Sequence, residues 1–113
     1  ALKLAMGSNV TLKIDSKLVP AFNGSMGLIE LGCIPGACFR NLEYVENDCA
    51  FENSLSHNHK MLLLDAQTSG GLLICCNKND VNDMIKDLSE AGYPKTAIIG
   101  SVIEKGNKHL VIY

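Results

Sequence analysis

The apolar positions change period several times along the first half of the chain. Leu2, Leu4, Ala5 and Met6 recur as the last turns of a helix that Gly7 would close from the C′ position. No N-cap residue or initiator Met precedes them, so the chain reads as the closing part of something longer. Residues 10–15 alternate Val, Leu and Ile with Thr, Lys and Asp, the two-residue period of a strand with one buried face. Val19-Pro20 interrupts that strand, and Asn23-Gly24 opens a short predicted helix through Met26, Leu28 and Ile29 to Gly32. After Ile34-Pro35-Gly36, residues 37–42 fit helix or loop equally well. Residues 46–59 are polar and read as surface loop, with room for the first turn of a helix ending in Met61, Leu62, Leu63 and Leu64.

The second half is more regular. Residues 71–76 form a continuous apolar run, the pattern of a strand covered on both faces. Asn79 or Asp80 caps a predicted helix whose apolar side chains Val81, Met84, Ile85, Leu88 and Ala91 recur at helical spacing. Asp83, Lys86, Asp87 and Glu90 take its wet side, and Gly92 followed by Pro94 ends it. Residues 96–105 read as a β-branched strand, and Gly106-Asn107 suits a type II′ turn returning into residues 108–113. This order of elements predicts an α+β fold, a mixed β-sheet with helices packed on it.

Composition narrows the class. A chain of 113 residues with 47% hydrophobic side chains is one domain, able to bury about 65% of its unfolded surface around a single core. It is too apolar for disorder, and no apolar run approaches the roughly 18 residues of a membrane-spanning helix. Ten Lys and Arg against 12 Asp and Glu leave a net charge of −2, with no basic stripe for nucleic acid or an anionic membrane. Without Trp, and with three Phe and three Tyr, there is no row of aromatics on which bases could stack. Five cysteines, an odd number, read as small core residues of a reducing cytoplasm, with neighbouring Cys75 and Cys76 on opposite faces of their strand. A metal site of Cys33, Cys38 and Cys49 with His57 or His59 is the alternative, and it lacks a C-x-x-C pair. His109 reads as an ordinary surface residue.

One segment carries a chemical signal: Asp65-Ala66-Gln67-Thr68-Ser69-Gly70-Gly71-Leu72-Leu73. Two glycines let the backbone approach a ligand closely and adopt positive φ, and successive N–H groups in such a turn can cradle an anion. The hydroxyls of Thr68 and Ser69 stand beside them, Asp65 adds a carboxylate suited to magnesium or a hydrogen bond, and Gln67 adds an amide. By residue type alone, a tight turn entering a buried strand, with Asp65 and Thr68 bonded to local backbone, accounts for the segment better. It is not a Walker loop, because no Gly-Lys-Ser/Thr follows.

Residues 62–74 resemble the Asp-Pro-Gln-Thr-Ser-Gly-Gly-Leu-Leu signature of the selenophosphate synthetase (selenide, water dikinase) family. Gly7-Ser8-Asn9-Val10 looks like that family's Gly-Ser-Gly-Val segment, and Arg40-Asn41-Leu42-Glu43-Tyr44 like its Arg-Asn loop. Ala91-Gly92-Tyr93-Pro94 and Ala97-Ile98-Ile99-Gly100 resemble its closing helix and strand, in register over nearly the whole chain. Ala66 stands where the family usually has Pro, which loosens the turn and removes no functional group.

The resemblance implies a three-layer α/β/α domain of the aminoimidazole ribonucleotide synthetase-related type, residues 1–113 being the C-terminal domain of a longer enzyme. That enzyme makes selenophosphate from selenide, ATP and water and releases AMP and phosphate. Its nucleophilic Cys or selenocysteine, its catalytic Lys and its magnesium aspartates belong to a preceding N-terminal domain. The chain alone is therefore expected to be inactive, with no catalytic residue, no metal ligand and no bound cofactor of its own. ATP and magnesium belong to the complete enzyme, a cytoplasmic homodimer. On this reading Thr68, Ser69, Gly70 and Gly71, with Asp65 and Gln67, face an interdomain cleft and a phosphate, and Arg40 and Asn41 are further candidates for it. The competing readings are an independent protein-interaction module and a Cys-rich metal or redox domain.

Overall fold

In the computed structural model, which describes residues 1–67 and 69–113, an alternating sequence becomes a four-stranded sheet. The chain runs through α1 (Leu2–Gly7), β1 (Val10–Ile14), α2 (Ser25–Glu30), α3 (Gly36–Val45) and β2 (Cys49–Phe51). It continues through α4 (His57–Leu63), α5 (Val81–Glu90), β3 (Gly100–Glu104) and β4 (Leu110–Ile112). The strand order is β2-β4-β1-β3, with β3 antiparallel to β1 and the other pairs parallel, so the sheet is mixed as expected.

Register aligns the apolar residues in two rows across one face. Cys49, Leu110, Leu12 and Val102 form one row, and Phe51, Ile112, Ile14 and Gly100 the other. Leu12, Ile14, Cys49, Leu110 and Ile112 are buried, and α1, α3 and α4 add Leu2, Ala5, Cys38, Val45, Met61 and Leu64 to the same core. Burial fades toward β3, whose Val102 is 48% exposed on the face where Leu12 is 5% exposed.

Helix ends follow local chemistry. Gly32 (φ 82°) and Gly92 (φ 97°) take the left-handed position after α2 and α5. The next amides, of Cys33 and Tyr93, reach back 2.9 Å to the carbonyls of Leu28 and Leu88, satisfying helix-end acceptors that would otherwise be orphaned. After α1 the left-handed residue is Asn9 (φ 51°) rather than Gly7, which lies inside the helix. Asparagine tolerates that conformation better than other residues with a side chain. Residues 37–42 are helical, and Ser56 caps α4 by accepting a hydrogen bond from the His59 amide at 3.2 Å.

Other expectations are corrected. The polar stretch 46–59 contains β2, a strand of three residues. β3 and β4 do not form a hairpin, because β1 lies between them. Gly106 instead donates its N–H to Thr11 Oγ1 at 3.0 Å, and the Thr11 hydroxyl donates to the Lys108 carbonyl. Residues 71–76 are not a strand: they join no ladder, and Leu72 is 91% exposed. An apolar run creates a demand for cover, but a strand also needs a neighbour to pair with. Cys75 and Cys76 are accordingly exposed, as is Cys33, whereas Cys38 and Cys49 occupy the core as small apolar residues. The α5 stripe has the expected period, with Val81, Met84, Ile85 and Leu88 its least exposed residues, but none is fully buried. His109 is half-buried, its Nδ1 3.0 Å from the Val10 carbonyl. No helix among the described residues is long and apolar enough to cross a membrane.

Candidate functional site

The segment that begins at Asp65 leaves the C-terminus of α4, with Leu64 as the capping residue. Asp65, Ala66, Gln67, Ser69, Gly70 and Gly71 are all exposed, and Thr68 lies outside the described residues. Neither Gly70 nor Gly71 has positive φ, so the conformational reason expected for these glycines does not apply. Space does. A Cβ built on Gly71 would meet nothing within 4 Å, and one on Gly70 would stand 3.0 Å from Gln67 Oε1, the far end of a flexible side chain. The backbone at Gly71 is thus open to close approach from outside, which a side chain there would obstruct.

Two residues of α3 reach the start of the segment. Asn41 Nδ2 donates to the Leu64 carbonyl at 2.8 Å. The Cys38 thiol, 1% exposed, faces Asp65 Oδ1 at 3.9 Å, the long separation of a weak sulfur donor. Burial first, and the Asp65 charge second, push the Cys38 thiol above its ordinary pKa, so at neutral pH it remains a protonated donor. Beside them opens a groove of about 420 Å³ floored by Ile14, Phe51, Leu110 and Ile112, with Asn41, Asp65 and Lys3 among its polar lining and Leu73 at its side.

Asn41 and Asp65 thus line one groove, and Arg40 is not among its lining residues. Arg40 is exposed and forms no ion pair among the described residues, and its guanidinium lies 3.8 Å from where a Gly36 Cβ would stand. Sequence reasoning missed Cys38 as a neighbour of Asp65. The only signal was its spacing: Cys38 and Asn41, three residues apart, share a face of any helix.

Whether these residues fit a magnesium ion can be tested on the donor set. A magnesium site uses one or two carboxylates with waters and phosphate oxygens in an octahedron. Asp65 is a lone carboxylate, and among the described residues no three His, Cys, Asp or Glu side chains come together. Asp65 could therefore contribute to a magnesium ion only alongside phosphate oxygens and waters, and among the described residues the cluster of Cys33, Cys38 and Cys49 with a histidine does not form.

Comparison with known proteins is consistent along the full length. The family model described as AIR synthase related protein, C-terminal domain, matches residues 1–112. A selenide, water dikinase of Clostridioides difficile (strain 630) is 34% identical over 111 residues, covering 98% of this chain and 32% of that protein. One from Porphyromonas gingivalis is 46% identical over 105 residues, covering 88% of this chain and 28% of that protein. One from Aliarcobacter butzleri (strain RM4018) is 38% identical over 105 residues, covering 93% of this chain and 30% of that protein. The chain thus spans about a third or less of the length of these relatives.

Proposed function

The chain belongs to the AIR synthase related protein, C-terminal domain, family, and from that premise we propose that it serves as the closing domain of a selenide, water dikinase. The complete enzyme would convert selenide, ATP and water to selenophosphate, AMP and phosphate, as a cytoplasmic homodimer whose catalytic residues and magnesium lie outside these residues. The partner of this domain is the part of the same enzyme that the relatives carry beyond the matched region. Within the domain, the turn from Asp65 to Gly71 offers backbone N–H groups and the hydroxyls of Thr68 and Ser69 to a phosphate or a selenide-derived anion at the interdomain cleft.

The observation that carries this reading is the open backbone at Gly71, on an exposed segment whose beginning is held by α3. Phosphoryl transfer depends on positioning and electrostatic stabilisation, and donors on a segment anchored at Leu64 would supply the first of these. In the full-length enzyme, Gly71→Val and Ser69→Ala should each lower selenide-dependent AMP formation about tenfold, near the value of one lost hydrogen bond to a charged group. The domain should stay folded, because a side chain at residue 71 meets open space. Full activity in both variants would leave the turn a structural feature only. The 113-residue chain by itself should form no AMP.

A further inference from the structure

Resting on the proposed reading of the turn, we infer that Asn41 and Cys38 are positioning residues that hold the start of the Asp65–Gly71 segment in register with its anion. The two side chains are three residues apart on one face of α3 and act on consecutive residues of another element. Leu64 caps α4, so its carbonyl is one of the helix-end acceptors with no intrahelical donor, and Asn41 Nδ2 supplies the donor at 2.8 Å. That bond engages one of the two N–H groups of the Asn41 amide. One residue on, the buried Cys38 thiol faces Asp65 Oδ1 at 3.9 Å.

Among the described residues beyond Ala66, the next link to the core is Leu73 at the side of the groove. Among the described residues, Gln67 and residues 69–76 form no hydrogen bond, and residues 69–76 are all exposed. The position of the donors near Gly71 is then inherited from where α3 holds Leu64 and Asp65. A displacement of about 1 Å at that point would carry into the turn, and misplacement on that scale costs up to about a hundredfold in rate.

The test uses the full-length enzyme. Asn41→Asp keeps the shape and removes the donor, and Asn41→Ala serves as the second variant if the buried charge prevents folding. Each should speed amide hydrogen exchange across residues 64–71 about tenfold and lower kcat/KM for ATP about tenfold, with exchange in β1 and β4 unchanged. Cys38→Ala should lower kcat/KM in the native enzyme and have no further effect in an Asp65→Ala background, whereas Cys38→Ser, which keeps a donor, should retain activity within about threefold. Unchanged exchange across residues 64–71 in the folded Asn41 variant would overturn the clamp. An equal loss from Cys38→Ala with and without Asp65 would overturn the role assigned to Cys38. Faster exchange with full activity in Asn41→Ala, Gly71→Val and Ser69→Ala would refute the anion-binding reading and leave the clamp as a structural feature, so the two failures are distinguishable.

Discussion

Gly100 is the position at which a single methyl group should do most damage. It pairs with Ile14 across β1 and β3, and a Cβ built on it would stand 2.0 Å from the Lys13 carbonyl oxygen and 3.1 Å from the Ile14 Cα. A carbon and a carbonyl oxygen in close contact sit at about 3.3 Å, so the strands would have to separate by about 1.3 Å. The obstacle is backbone in the middle of the sheet, which cannot rotate away as a side chain would. A shift of that size takes neighbouring bonds, such as Asp15 N–H to the Ile99 carbonyl at 2.9 Å, out of hydrogen-bonding range. Two such bonds at about 1 kcal/mol each, with about 1–2 kcal/mol of packing strain, give a loss of about 3–4 kcal/mol. Replacing glycine returns about 0.4–1 kcal/mol by restricting the unfolded chain. The net expectation for Gly100→Ala is about 3 kcal/mol, read as a lower urea midpoint at unchanged slope or as a fall of about 10 °C in Tm. Stability within 0.5 kcal/mol of the parent would mean that β1 and β3 do not approach this closely.

Thr11→Val should lose about 2 kcal/mol in the same unfolding assay, because the Thr11 side chain, 2% exposed, makes hydrogen bonds to both Lys108 and Gly106. A change below 0.5 kcal/mol would show that those bonds do not hold the 106–108 connection. In the folded protein, Cys33, Cys75 and Cys76 should react rapidly with a thiol reagent, and Cys38 and Cys49 only after unfolding. Rapid labelling of either core cysteine would contradict the assigned burial. Burial also pushes the Cys49 thiol from about 9 up to about 11, against the opposing pull of Lys108 and Lys60. The fold favours its neutral form, so this contribution is full below about pH 9 and falls away by about 2–3 kcal/mol as pH rises to 11. Wild type should lose that much more stability than Cys49→Ala over the same range, and parallel curves would refute the shift.

What could be read from the sequence was local. The alternation at residues 10–15 became β1, the Val81-Met84-Ile85-Leu88 stripe became α5, and Gly92 stops that helix in the conformation foreseen for a C′ residue. The errors arose where a distant part of the chain decides. Gly106-Asn107 has good hairpin chemistry, yet Thr11, 95 residues away from Gly106, takes its N–H, and β1 separates the two strands the turn would have joined. Residues 71–76 announce burial by composition without saying which strand would pair with them. At the site, the motif was visible from Asp65 to Gly71, but the bond from Asn41 to Leu64 spans 23 residues and depends on where the fold sets α3 beside the end of α4. Neither residue advertises it.

The charge on the segment limits what it can do alone. Asp65 is the only ionised side chain from Asp65 to Gly71, and its sign is negative. A carboxylate about 5 Å from a phosphate repels it by about 1 kcal/mol per charge pair in a water-like dielectric, and by more where water is excluded. Each backbone or hydroxyl donor returns about 1–2 kcal/mol net. A few donors against one carboxylate therefore leave the turn near balance for a multiply charged anion. It can fix the position of that anion without supplying much of the affinity. On the proposed reading, the neutralising charge must come from cationic groups outside the segment. Arg40 of α3, exposed and in no ion pair among the described residues, is one candidate for it. The same balance explains how a domain of net charge −2 can take part in phosphate chemistry, and why its test belongs in the full-length enzyme.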